Sequence, residues 1–106
     1  MPDPEAALRL LGLAARAGAI FPGTERVREA VRAGEARFVI VAGDASDNTR
    51  AKLIPLLQAR GVAHALAYDR TRLGAAIGRA PMGAVAVSDA SFAGRLRELL
   101  PDRVET

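Results

Sequence analysis

Residues 37–46 read RFVIVAGDAS, and this stretch decides the class of fold. RFVIVA is a continuous run of β-branched, aliphatic and aromatic residues without polar alternation. That pattern belongs to a strand covered on both faces, as in the centre of an α/β sheet. Gly43 ends the strand, and residues 44–47 supply turn and capping residues. Beyond them, residues 48–60 carry Leu53, Ile54, Leu56 and Leu57 on a helix closed by Gly61, with Pro55 removing one helical hydrogen bond. Upstream, Pro22-Gly23 turns the chain into Thr24, read as the N-cap of a helix over 25–33 that Gly34 stops. An amphipathic helix over 4–18, with Asp3 as its cap, and a short apolar piece over 19–21 precede that turn. Downstream, 62–68 is a second buried strand, 71–77 a short helix and 84–87 a third strand. Asp89 and Ser91 introduce a last helix that runs to Leu100, and the polar tail from Pro101 is expected to fray. Strands alternating with helices at this spacing predict a mostly parallel sheet with helices on both faces.

A chain of 106 residues is one domain of ordinary size. Half of it is hydrophobic and only 4% aromatic, so the core must be aliphatic. The absence of cysteine excludes disulfides, thiolate metal sites and a cysteine nucleophile. Arg9 and Arg16 interrupt the apolar run of residues 1–21, which therefore reads neither as a signal peptide nor as a membrane span; the expected location is cytoplasmic. The net charge is +3, yet Lys52 is the sole lysine among 15 basic residues. Arginine forks suit phosphate and guanine edges, and a high-GC genome would write the same bias.

Catalytic parts are scarce. His64 is the single histidine, inside a strand, and reads as a residue of the sheet face. Asp44 and Asp47 follow the central strand, where open sheets bind ligands. A phosphorylated receiver would also need an acidic pair after its first strand and a late lysine, which this chain lacks. There is no GxGxxG and no GxxxxGK. No enzymatic activity, cofactor or metal is expected. Helix N-termini at Thr24, Asp47 and Thr71 remain as anion-binding candidates.

Two longer segments carry a resemblance: GTERVREAVRAGEARFVIVAGDAS over 23–46 and RLGAAIGRAPMGAVAVSD over 72–89. In this order they resemble the kink-turn-binding ribosomal protein superfamily that includes the large-subunit proteins L-seven-Ae and L-thirty-e. LLGLAARAG over 10–18 is similar to the opening helix of its bacterial YlxQ-type branch. The resemblance implies a three-layer α/β/α sandwich around a four-stranded mixed sheet. It also implies a non-catalytic, monomeric, ribosome-associated protein of the translation apparatus that binds a kink-turn or other structured RNA, ribosomal or not, with no membrane partner.

It further implies three RNA-facing pieces. In the first, Gly23 and Thr24 match the family's helix start, whereas Glu25 replaces asparagine, Arg26 replaces glutamate and Glu29 replaces lysine. Glu25 can accept from guanine N1 and N2 while Arg26 donates to O6 and N7; Glu29 would repel phosphate. The second piece is the turn at Gly43 and Asp44, and the third is the loop Arg79, Ala80, Pro81, Met82 and Gly83. Arg16, Arg26, Arg28 and Arg79 would hold phosphates. The competing expectation is a protein-interaction adaptor of the translation machinery that keeps the fold without kink-turn specificity.

Overall fold

The computed structural model describes residues 2–100 and 104–105. Helix α1 (Pro4–Arg16) begins with Pro4 in its first turn, and Asp3 accepts a hydrogen bond from the Ala6 N–H. It is followed by β1 (Ile20–Pro22), α2 (Thr24–Arg32), β2 (Phe38–Val41), α3 (Asp47–Arg60), β3 (His64–Leu66), α4 (Arg70–Ala76), β4 (Ala84–Val87), α5 (Ala90–Leu99) and β5 (Val104–Glu105). The sheet order is β1-β4-β2-β3-β5. Helices α2 and α3 pack together over one face and α1, α4 and α5 over the other, giving the three-layer sandwich. Strands β2 and β4 lie inside the sheet, and every residue in them is buried, as the unbroken apolar run of 38–41 requires. Phe38 is the largest fully buried side chain, and Leu11, Ile40, Leu53, Leu57, Leu73 and Leu96 are fully buried with it in the core.

The sheet is mixed, as the family resemblance implies, with β5 as a fifth strand, and the mostly parallel sheet expected from element spacing is corrected. Only β2 and β3 run parallel, while β4 is antiparallel to both β1 and β2. Helix α4, seven residues long, is the cause. Residues 78–83 fold back along it, with Arg79 N donating to Gly74 O at 2.9 Å and Met82 N to Arg70 O at 3.2 Å. The chain thus re-enters the sheet from the end it had just left and must run the other way.

Thr24 is likewise not a cap. The N-cap of α2 is Gly23, at φ +94°, and Thr24 is the first helical residue. The backbone of Val104–Glu105 pairs antiparallel with β3, where sequence suggested a fraying tail; the rest of that expected tail lies outside the described residues. Pro55 sits on an exposed position of α3, and the carbonyl it leaves without a helical partner belongs to Ala51, also exposed, where water can satisfy it. His64 is fully buried on β3, its Nδ1 2.9 Å from the Val62 carbonyl.

Candidate nucleic-acid interface

Three chain segments meet at the end of the sheet where β1, β2 and β3 finish and β4 begins. The Gly23 N–H donates to Ala84 O at 2.9 Å, and Ala42 N donates to Gly83 O at 2.8 Å. The start of α2, the turn after β2 and the loop before β4 are therefore stitched together through backbone hydrogen bonds. Side chains complete the junction. The hydroxyls of Thr24 and Thr49 lie 3.1 Å apart, and Ser46 Oγ bonds the Thr49 hydroxyl at 3.2 Å. Gly83 fits against this pair: a Cβ there would meet Thr49 Cγ2 at 3.1 Å and Thr24 Oγ1 at 3.6 Å.

Helix α2 opens onto this end without a capping side chain. The helices α1, α3, α4 and α5 are capped by Asp3, Ser46, Asp69 and Asp89. The first N–H groups of α2 thus point outwards beside the exposed side chains of Glu25 and Arg26. Glu25 is met by Lys52 from α3, whose Nζ lies 2.7 Å from Oε2, and by Arg28 at 3.7 Å. The Lys52 hydrogen bond first, then its charge, with a smaller contribution from Arg28, holds the Glu25 carboxyl below the usual range. At neutral pH the glutamate is ionised and covered by cations. Glu29 is exposed one turn further along the helix.

The turn after β2 is braced from both sides. Arg50 Nε donates to Ala45 O at 3.2 Å and its guanidinium also reaches Gly43 O. Asp44 Oδ1 accepts from the Arg70 N–H at 2.8 Å, and its other oxygen lies 3.5 Å from Arg70 Nε. Asp44 therefore ties the turn to the start of α4. Gly43 N donates to Tyr68 O at 2.8 Å. Tyr68 holds the left-handed φ of +64°, its ring lies under Arg72 at 5.6 Å, and its hydroxyl donates to Pro4 O at 2.7 Å. Burial, opposed by Arg72, pushes that hydroxyl up to about 12.

In the loop before β4, Arg79, Ala80 and Pro81 are exposed, while Met82 is half-buried against the core. Gly74 makes the loop possible, because a Cβ there would stand 2.2 Å from Ala80 O. Gly23, Thr24, Glu25, Arg26, Arg28, Gly43, Asp44 and the 79–83 loop are thus gathered at one end. Arg16 is not brought to the threonine junction. It closes α1 at the end opposite Pro4, about 20 Å away along the helix axis, beside Gly78. Sequence reasoning missed Thr49, Arg50, Lys52, Tyr68 and Arg70. Their contacts cross between elements, and no spacing along the chain signals them.

Residues 5–96 match the model of the Ribosomal protein L7Ae/L30e/S12e/Gadd45 family. The chain belongs to this family. Within the curated proteins it is 36% identical over 91 residues to the RNA-binding protein YlxQ of Bacillus subtilis (strain 168), covering 86% of this chain and 91% of that protein. It is 32% identical over 94 residues to the YlxQ of Enterococcus faecium, also called RNA-binding, with 89% and 90% covered. A solved structure of a protein with unknown function from Bacillus halodurans superposes with a TM-score of 0.82 at 36% identity, covering 87% of this chain and 93% of that one. The 15.5kD RNA binding protein of Giardia lamblia shares the fold, with a TM-score of 0.70, 23% identity, and 88% and 86% covered. Among the described residues no helix is long and apolar enough to cross a membrane.

Proposed function

We propose that this protein is a non-catalytic binder of structured RNA, and that it docks through the end of the sheet built from the start of α2, the 43–44 turn and the 79–83 loop. The observation that carries the reading is the convergence of these segments around Thr24, Thr49 and Gly83 beneath an uncapped helix start. The YlxQ relatives, named as RNA-binding and alike over most of their length, support it. Uncapped N–H groups can meet base or phosphate oxygens. Arg26 can donate to a guanine edge, and the exposed tip Arg79-Ala80-Pro81 can pack against an unstacked nucleotide. Lys52 adds a cation that α2 lacks at position 29.

The finer reading is a kink-turn or similarly bent RNA of the translation apparatus, bound by a monomer in the cytoplasm. Fluorescence anisotropy tests it with a labelled kink-turn RNA and a matched duplex lacking the guanine–adenine pairs, titrated with salt. Preference for the kink-turn of at least about tenfold at physiological salt is the expected result. Equal, weak and steeply salt-dependent binding to both would reduce the interaction to phosphate attraction and overturn the kink-turn reading. Binding to neither would overturn the RNA reading altogether.

A further inference from the structure

A groove runs between α1 and α4, on the face of the sheet opposite α2 and α3. It consists of two adjoining cavities of about 380 and 320 Å³ that share Ala75 and Ala76. Apart from its arginines it is lined by the small or apolar residues Leu8, Gly12 and Ala15 from α1 and by residues 75–78 at the end of α4. Gly12 keeps the two helices close, since a Cβ there would lie 2.9 Å from Ala76 O. The charged residues lining the groove are Arg9, Arg16 and Arg72, without an acidic partner in the lining. Arg72 is paired with Glu5 outside the groove. Arg9 and Arg16 stand exposed two turns apart, and between them Leu13 is 50% exposed.

We propose that this groove docks a short amphipathic helix of a partner protein, apolar on one side and acidic on its flanks. The small residues let a helix backbone approach, and the distance from Leu8 to Arg16, about 12 Å, suits two helical turns. Leu8 and Ile77 offer apolar area to its buried face, and Arg9 and Arg16 meet carboxylates at the rim. A nucleic acid fits this surface less well. The floor holds no aromatic ring on which a base could stack, and its polar side chains are limited to the arginines. The groove uses none of Gly23, Thr24 or Gly83, so this inference stands apart from the proposed RNA site. It takes Arg16 out of the expected RNA-binding set.

The test uses the full chain, ¹⁵N-labelled, titrated with three synthetic helical peptides: an acidic amphipathic one, its basic charge-reversed counterpart, and a scramble of the acidic one without a continuous apolar face. The acidic amphipathic peptide is expected to shift the amides of Gly12, Ala15 and residues 75–78, and the other two to leave them in place. The double variant R9E/R16E should weaken the peptide about tenfold or more. Ala75→Tyr, an exposed position, should block it by filling the groove without changing charge. Both variants should keep the wild-type thermal midpoint within a few degrees and bind the kink-turn RNA as the parent chain does. Absence of groove shifts, or equal shifts with the scramble, would overturn the proposal. So would RNA that shifts the groove amides and loses affinity in R9E/R16E, which would assign the arginines to nucleic acid.

Discussion

The first turns of α2 and α3 lie side by side at one end of the sheet and are finished in opposite ways. Ser46 closes α3 by accepting the Thr49 N–H at 3.1 Å. Helix α2 starts from Gly23, which has no side chain to offer, and the hydroxyls of Thr24 and Thr49 share a hydrogen bond across the helix interface. Both segments contain a hydroxyl residue suited to capping, and only one caps. Position decides: a cap needs extended backbone one residue before the helix, which Ser46 has at φ −62° and ψ 158°, whereas Thr24 is already helical. The closed start of α3 has its N–H satisfied by Ser46, and the open start of α2 has no side-chain cap.

The most severe way to break this contrast is to remove the shelf beneath the open end. Gly74→Ala drives a methyl into the Ala80 carbonyl, and unfolding free energy should fall by about 3 kcal/mol, read by urea denaturation. Kink-turn binding should be lost with it. Gly23→Ala places a side chain at φ +94° with open space around it, so the cost is backbone strain of about 1–2 kcal/mol. Anisotropy should show RNA affinity reduced about tenfold. Ser46→Ala sharpens the contrast from the other side. Loss of the α3 cap should cost about 1 kcal/mol of stability, while RNA affinity stays within about twofold. If Ser46→Ala weakened RNA as much as Gly23→Ala, the division between closed and open helix starts would fall.

Smaller effects follow from the ion pair beside the open end. Lys52→Met should leave the thermal midpoint unchanged within error, because the pair is exposed. It should lower the salt slope of RNA binding by about one and reduce affinity several-fold, since Glu25 would be left facing phosphate with only Arg28 nearby. The smallest effect is in the pH dependence. The carboxyl of Glu25 is held below the usual carboxylate range by Lys52, so the contribution of the pair is complete above that range and is lost as pH falls through the depressed value. An NMR titration of the Glu25 side chain should move back to the ordinary carboxylate range in Lys52→Met.

Particular residues show why some of this was legible in the chain. RFVIVA could only be a strand covered on both faces, and Gly18, Gly34 and Gly61 mark helix ends because each takes a positive φ there. Gly23 and Thr24 could be read as belonging to the site through a family pattern. Their separate roles could not, because a one-residue shift in the helix start is invisible in composition. The Glu25–Lys52 pair joins positions 27 residues apart and has no periodicity to betray it. Charge alone groups Arg16 with Arg26, Arg28 and Arg79; the direction of α1 separates it from the Thr24–Thr49 junction.

The sequence by itself determined the aliphatic core, the succession of helices and strands, and the family, because buried strands and helix stops are written in local residue types and spacing. Only the tertiary structure decided the direction of β4, which neighbours cover Glu25, and which arginines share a surface. Each of these depends on how the chain returns from one element to the next, and that return is fixed by packing and backbone hydrogen bonds between residues far apart in sequence.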